Sequence, residues 1–143
     1  MSNERQGSRI LAVDYGDART GVAVSDPSLT LVGDAWVVQS KRTADAAQAI
    51  VDEAAARGVS RIVVGHPKNM DGSIGPRAEK SEQFAVLLRS LCDVEVLLWD
   101  ERMTTLSAQR VLTDVGKFGK KRKNTIDAVA ASLILESYLR TLK

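Results

Sequence analysis

The order of its apolar patterns is the feature of this sequence that most constrains its fold. Three short apolar segments come first, at Arg9–Asp14, 20–26 and 34–39, separated by turns that contain glycine or proline. Segments of this length and spacing predict an antiparallel three-stranded meander. From residue 43 onward, segments with helical spacing alternate with further strand patterns. The sequence therefore predicts a meander followed by strands that are joined through helices.

The first helical segments enclose a buried strand. A helix is predicted with Thr43 as its N-cap and Gly58 as its stop signal. The continuous apolar run at 61–65 is typical of a buried parallel strand. A second helix begins near Pro76, a residue favoured in the first helical turn, and a last strand follows at 94–99.

Two more helices are predicted after the last strand. One covers residues 104–114, where Thr104 would cap the helix and fix the direction of Glu101. The other begins near Asn124 or Thr125, after a basic segment that contains glycine. Strands joined by helical crossovers lie parallel, so the whole order predicts an α/β fold. Its sheet would be mixed and five-stranded, an antiparallel β-meander plus parallel strands, with helices on both faces.

Length and composition fit one globular domain. The chain has 143 residues, of which 44% are hydrophobic and 27% charged, values near those of ordinary globular proteins. We expect residues 1–8 to form a short flexible tail and residues 9–143 a single domain.

Several classes of protein are excluded by the residue counts. With Cys92 as its single cysteine and His66 as its single histidine, the chain lacks the ligands for a disulfide framework or a zinc cluster. No apolar run reaches the ~20 residues of a membrane span, and the polar N-terminus does not resemble a signal peptide. We therefore expect a cytoplasmic protein with no membrane partner.

The positive charge is concentrated in one place. Five of the 20 basic residues lie in one short segment, and the other 15 face 18 acidic residues. These five residues are Lys117, Lys120, Lys121, Arg122 and Lys123. The segment contains no acidic residue, so it is predicted to be a loop that binds the phosphates of a nucleic acid. An ordinary solvated charge run is the alternative.

Three carboxylates stand where α/β proteins carry their chemistry. Asp14 closes the first strand, Glu101 follows the last one, and Asp127 lies in the first turn of the final helix, within an apolar segment. Functional residues concentrate beyond the carboxyl ends of parallel strands. If the three carboxylates converge, their mutual repulsion calls for a hard cation such as Mg²⁺.

Each of these residues also has a structural interpretation. Asp14 could cap a turn at Gly16, Glu101 could form a surface ion pair with Arg102, and the negative charge of Asp127 would be favourable near a helix N-terminus. The residues alone leave both interpretations open.

Four separated blocks of sequence carry a resemblance to a known family. LAVDYGDARTGVAVSD, GHPKNMDG, DERMTT and IDAVAASLILESY, in this order, resemble the YqgF family, also called the RuvX family, of the RNase H-like superfamily. The resemblance runs from about Arg9 to the end of the sequence. It implies an RNase H-like fold and a nuclease that trims the 5′ end of pre-16S rRNA in ribosome biogenesis.

The resemblance also implies a site and its cofactor. The family's acids match Asp14, Glu101 and Asp127, which would act in catalysis and bind two Mg²⁺ or Mn²⁺ ions, with Asp14 bridging them. Arg19 would either contact phosphate or pair with a nearby acid. The expected partners are an rRNA precursor or branched DNA, together with ribosomal particles. We expect the protein to be a monomer or a weak homodimer.

Three alternatives to this function remain at this point. A Holliday junction resolvase would use the same site on four-way DNA junctions. A non-catalytic rRNA-binding assembly factor would not need the three acids. The segment DYGDARTG also resembles the phosphate loop of actin-like ATPases, although those enzymes need two such domains.

Overall fold

The computed structural model describes residues 8–104 and 120–142, and in the second range it describes side chains from residue 127 onward. The elements follow the chain in this order: β1 (Arg9–Asp14), β2 (Arg19–Ser25), β3 (Val32–Gln39), α1 (Thr43–Ala56), β4 (Val59–His66), α2 (Pro76–Leu91), β5 (Glu95–Asp100), a 3₁₀ turn (Glu101–Met103) and α3 (Lys120–Arg140).

The strands form one mixed sheet of order β3-β2-β1-β4-β5. β1, β2 and β3 pair antiparallel, whereas β4 lies parallel to β1 and β5 parallel to β4. The predicted α/β fold, with a meander joined to parallel strands, is confirmed. β1 is the central strand, so the residue at its end has neighbours on both sides.

Helices cover both faces of the sheet, because side chains along β1 alternate between them. Leu11 and Val13 pack with Ile50 of α1 and with Phe84 and Leu88 of α2. Burial of such side chains is the main force that holds these helices to the sheet.

The opposite face is covered by α3. Ile10 and Ala12 of β1 pack there against Ala131, Ile134 and Leu135. By the same alternation, the side chain of Asp14 belongs to this second face. No helix in residues 8–104 or 120–142 combines the length and the apolar character that crossing a membrane requires.

The ends of α1 differ partly from the prediction. Thr43 is not the N-cap: Arg42 takes that position without a side-chain cap, and Thr43 is the first helical residue. Its hydroxyl instead shares a 3.1 Å hydrogen bond with the Tyr15 hydroxyl, a tertiary contact that local sequence does not encode. Gly58 has φ +70° just after the helix, as its role as a stop signal requires.

The start of α3 corrects the prediction of a basic loop. The helix begins at Lys120 rather than near Asn124 or Thr125, so residues 120–123 belong to its first turns. Lysine and arginine are good helix formers, and nothing after Gly119 interrupts the helix. Lys117 and the predicted helix at 104–114, apart from Thr104, lie outside the described residues.

Candidate active site

Asp14 lies at the carboxyl end of the central strand and is only 6% exposed. Its cross-strand partner in β2 is Gly21. The pairing of Val13 with Val64 places Gly65 of β4 beside Asp14 on its other side. Directly paired residues project toward the same face of a sheet, so the Asp14 side chain lies between two positions that have no side chain.

Glu101 occupies the space above Gly65. A Cβ atom on Gly65 would lie 2.6 Å from Oε2 of Glu101 and 2.6 Å from Cδ1 of Ile134, too close for either contact. Glu101 is 4% exposed, although it directly follows the edge strand β5. The glycine therefore makes room for the Glu101 carboxylate on the same face as Asp14.

Asp127 approaches from the other side, over Gly21. A Cβ atom on Gly21 would lie 2.0 Å from the backbone oxygen of Asp127, so only glycine allows α3 to pack this closely on β2. The backbone of α3 fills the space above Gly21. Asp14, Glu101 and Asp127, distant in sequence, thus lie in one region of the sheet.

The surroundings of Glu101 exclude its interpretation as a surface ion pair with Arg102. The Arg102 guanidinium binds Asp100 instead, with an Nη2 to Oδ2 distance of 2.7 Å. The hydrogen bonds from Arg102 hold the pKa of Asp100 below its usual value. The hydroxyl of Thr104 donates to the backbone oxygen of Glu101 at 2.7 Å. This contact restrains the turn that carries Glu101, whereas the helix that Thr104 was predicted to cap lies outside the described residues.

Arg19 pairs with an acid of the site. Its Nε donates to Oδ2 of Asp127 at 3.1 Å, and the two side chains are 29% and 28% exposed. Of the two roles predicted for Arg19, the structure shows the ion pair. A contact between Arg19 and phosphate stays a prediction.

The loop after Asp14 is held by an aromatic contact. The Tyr15 ring stacks on Phe84 of α2 with a centroid distance of 4.4 Å. Gly16 allows the tight turn that follows, because a Cβ there would lie 2.3 Å from the backbone oxygen of Arg19. The backbone beside Asp14 is therefore anchored to the core.

His66 has a structural partner. It is buried, and its Nε2 lies 2.8 Å from Oε2 of Glu82 in α2. The hydrogen bond joins the end of β4 to α2, so His66 has a structural contact in the described part of the chain.

The donors of the site suit a hard divalent cation, since all are carboxylate oxygens and two of the three residues are buried. The arrangement is incomplete, however. Within residues 8–104 and 120–142, no three His, Cys, Asp or Glu side chains are grouped so that together they could hold a metal ion. The Asp127 carboxylate is engaged by Arg19. The predicted metal-binding role of Asp14, Glu101 and Asp127 stays a prediction.

Sequence reasoning missed Gly65. The signal was present, because a glycine inside an apolar strand pattern often marks a close approach by another group. What the sequence alone does not reveal is that the approaching group is Glu101, 36 positions further along the chain.

The sheet order and the carboxylates on its α3 face define an α/β protein with the RNase H-like fold. The model of a family described as "RuvX: Holliday junction resolvase" matches residues 8–141. The chain therefore belongs to the RuvX family, as its sequence predicted.

Similar proteins support this assignment. A relative from Halothermothrix orenii, named "Putative pre-16S rRNA nuclease", is 45% identical over 92% of this chain and 94% of its own. A relative of the same name from Geobacillus kaustophilus is 46% identical over 92% and 96%. Among solved structures, T. thermophilus RuvC in complex with a Holliday junction substrate has a TM-score of 0.62 at 13% identity, covering 95% of this chain and 97% of that one. That likeness concerns the fold alone.

Proposed function

We propose that this protein is a divalent-metal-dependent nuclease that processes pre-16S rRNA. Hydrolysis of phosphodiester bonds agrees with its family and with the names of its relatives. The observation that carries the proposal is the position of Asp14 between Gly21 and Gly65, with Asp127 and Glu101 above these glycines. A role for Asp14 as a turn cap would not account for a second buried carboxylate, that of Glu101, on the same face of the sheet.

Asp14, Glu101 and Asp127 are the residues that would hold Mg²⁺ or Mn²⁺, and we propose two ions. Bound divalent ions would supply activation of water and stabilisation of charge on the phosphodiester. The protein supplies a rigid frame, since Asp14 lies on the central strand and Glu101 in a restrained turn. Arg19 fixes the position of the Asp127 carboxylate through its ion pair.

Basic residues would bind the substrate backbone. We propose this role for Lys117, Lys120, Lys121, Arg122 and Lys123, which precede Asp127 in the sequence. Contacts of this kind fix a strand in place without selecting its sequence. If Asp127 held a cation, Arg19 would be released from its ion pair with Asp127 and could contact the substrate backbone as well.

The second candidate substrate is a four-way DNA junction. The description of the family as Holliday junction resolvase favours it. Both substrates present phosphodiester bonds to the same carboxylates, so the choice depends on which nucleic acid is bound and cut.

We also propose an organisation and a setting for this function. Residues 9–143 would act as one nuclease domain, as a monomer or weak homodimer in the cytoplasm, in contact with ribosomal particles. Size-exclusion chromatography with light scattering and sedimentation with ribosomal particles test these statements, and a stable higher oligomer would contradict them.

The decisive experiment compares wild type with Asp14→Asn. Both are incubated with Mg²⁺ or Mn²⁺ and labelled pre-16S rRNA, a four-way junction or single strands. We expect wild type to cleave the rRNA precursor and the variant to be at least 10²-fold slower, as for the loss of a major transition-state interaction. Preferred cleavage of the junction would favour the resolvase. Binding of rRNA without cleavage by either protein would establish an assembly factor instead.

A further inference from the structure

We propose that a groove beside Glu101 binds one strand of the nucleic acid through Lys68 and Arg77. The proposal rests on the nuclease function above and names residues that this function did not use. The groove has a volume of about 450 Å³, and its lining includes Lys68, Asn69, Arg77 and Glu101. It thus adjoins a candidate catalytic carboxylate.

The size of the groove indicates what enters it. Pockets for single small molecules have volumes of about 300–1,000 Å³, so this one accommodates a short stretch of one strand and not a duplex. Its walls come from the segment after β4 and from the start of α2. A strand in this groove would place a phosphate next to Glu101.

Lys68 and Arg77 are the free cations of the groove. Other basic side chains near the site are engaged: Arg102 pairs with Asp100 and Lys80 with Asp17. In the part of the chain that the structure describes, neither Lys68 nor Arg77 forms an ion pair within 4.0 Å. The charge of Lys68 helps to lower the pKa of Asp100, but Asp100 is paired with Arg102, so both groove cations can still attract a ligand.

The position of Arg77 connects the groove to Asp14. Arg77 also lines a second, smaller cleft of about 100 Å³, together with Tyr15, Gly16 and the Asp17–Lys80 ion pair. It therefore stands between the loop that follows Asp14 and the groove at Glu101. A strand that passes both carboxylates would run beside its guanidinium.

The segment that carries Lys68 is held by hydrogen bonds of its own backbone and by Arg102. The backbone N–H of Asn69 donates to the oxygen of Ser73 at 3.0 Å, and that of Gly72 donates to Asn69 at 2.8 Å. Nη1 of Arg102 donates to the backbone oxygen of Met70 at 3.4 Å. A prearranged wall loses little conformational entropy when a strand binds.

Electrostatics explains why such cations are needed. Buried carboxylates at Asp14 and Glu101 repel a polyanion. Cations beside them offset this repulsion without occupying the place of a metal ion. Lys68 and Arg77, which line the groove together with Glu101, provide this compensation.

Binding of labelled single-stranded RNA in EDTA, where cleavage is absent, tests the groove. We compare wild type with Lys68→Gln and Arg77→Gln at several salt concentrations. Each substitution should weaken binding and flatten the slope of log K against log salt by about 0.7. The matched control is Arg140→Gln. Arg140 is an exposed residue of α3, on the other face of the sheet from α2. The slope of log K against log salt for Arg140→Gln should therefore equal the wild-type slope.

Two outcomes would contradict strand binding in the groove. The slopes of both variants could equal the wild-type slope, or the slope could flatten with duplex RNA but not with single strands. Cleavage with Mg²⁺ or Mn²⁺ is measured separately. If the slopes flatten but wild type cleaves no substrate, strand binding in the groove is supported and the proposed nuclease function is contradicted. If wild type cleaves its substrate and the slopes do not change, only the proposal that the groove binds a strand is contradicted.

Discussion

Gly65 and Glu101 are matched in shape: a Cβ atom on the glycine would lie 2.6 Å from Oε2 of the glutamate. Both atoms in the way, Oε2 of Glu101 and Cδ1 of Ile134, are ends of side chains. A larger residue at position 65 therefore displaces the carboxylate before it disrupts the sheet.

We expect Gly65→Ala to fold and to lose most of its nuclease activity. Overpacking of this kind costs about 1–3 kcal/mol in the free energy of unfolding, and the shifted Glu101 carboxylate would no longer reach its position. Gly33→Ala is the matched control, because a Cβ there meets no atom closer than 3.3 Å. Thermal melts and cleavage rates measure the two effects. Wild-type activity in Gly65→Ala would show that Glu101 has no role in catalysis.

Gly21→Ala should be more destabilising than Gly65→Ala. Its Cβ would lie 2.0 Å from the backbone oxygen of Asp127 and 2.7 Å from the carbonyl carbon, and a helix backbone moves less easily than a side chain. We expect a loss at the upper end of about 1–3 kcal/mol or beyond. Urea unfolding of both variants gives the comparison, and equal stabilities would contradict the close packing of α3 on β2.

Arg19→Gln should tighten the binding of Mn²⁺ while weakening that of RNA. The ion pair with Asp127 competes with a cation for the carboxylate. An exposed pair contributes about 0–1 kcal/mol, so the Kd for Mn²⁺ should fall by up to about fivefold, given that 1.4 kcal/mol is a factor of ten.

Calorimetric titration of the Arg19 variant with Mn²⁺ measures this change. Arg42→Gln, which removes only the exposed pair of Arg42 with Asp45, serves as the control and should bind Mn²⁺ as wild type does. Weaker Mn²⁺ binding by Arg19→Gln would mean that Arg19 supports the metal-binding geometry of Asp127 rather than competing with it.

Asp14→Asn should leave the stability of the metal-free protein unchanged or raise it, because the change removes one of the negative charges that the proposed site brings together. The same change should abolish stabilisation by metal. For wild type that stabilisation is about 2.7 kcal/mol at a hundredfold excess over Kd. Thermal melts in EDTA and in Mn²⁺ test both statements. A variant that melts lower in EDTA, yet gains as much from Mn²⁺ as wild type, would disprove the site.

Replacement of Lys120, Lys121, Arg122 and Lys123 by alanine should weaken the binding of all sequences alike. For a duplex, the slope of log K against log salt should flatten by up to ~3–4, at about 0.9 for each phosphate neutralised. Titrations at several salt concentrations give this slope. An unchanged slope would show that these residues do not contact the backbone.

The placement of the carboxylates could be predicted because topology determines it. Parallel strands end at one edge of the sheet, so Asp14 and Glu101 were expected there, and the structure puts them on one face. The partners of individual side chains could not be predicted. Arg19 and Asp127 are 108 positions apart, and Arg102 selects Asp100 over the adjacent Glu101 for geometric reasons that spacing does not express.

Helix ends were the weaker part of the prediction. Thr43 and Asn124 both have side chains that favour caps, yet both lie inside helices. For Thr43 the contact with Tyr15 takes the hydroxyl that a cap would use. For Asn124 the preceding basic residues extend the helix, because their intrinsic helical preference outweighs an available cap.

α3 contributes to both the core and the proposed site, and it follows all five strands in the chain. A nascent chain that has reached residue 104 contains all five strands of the sheet, with Asp14 and Glu101. It lacks Asp127 and also the side chains that cover the second face of the sheet, among them Ile134 and Leu135. The helix that completes the burial of the sheet also delivers the third carboxylate. If the proposed site is correct, we expect chains that end before α3 to lack the proposed nuclease activity.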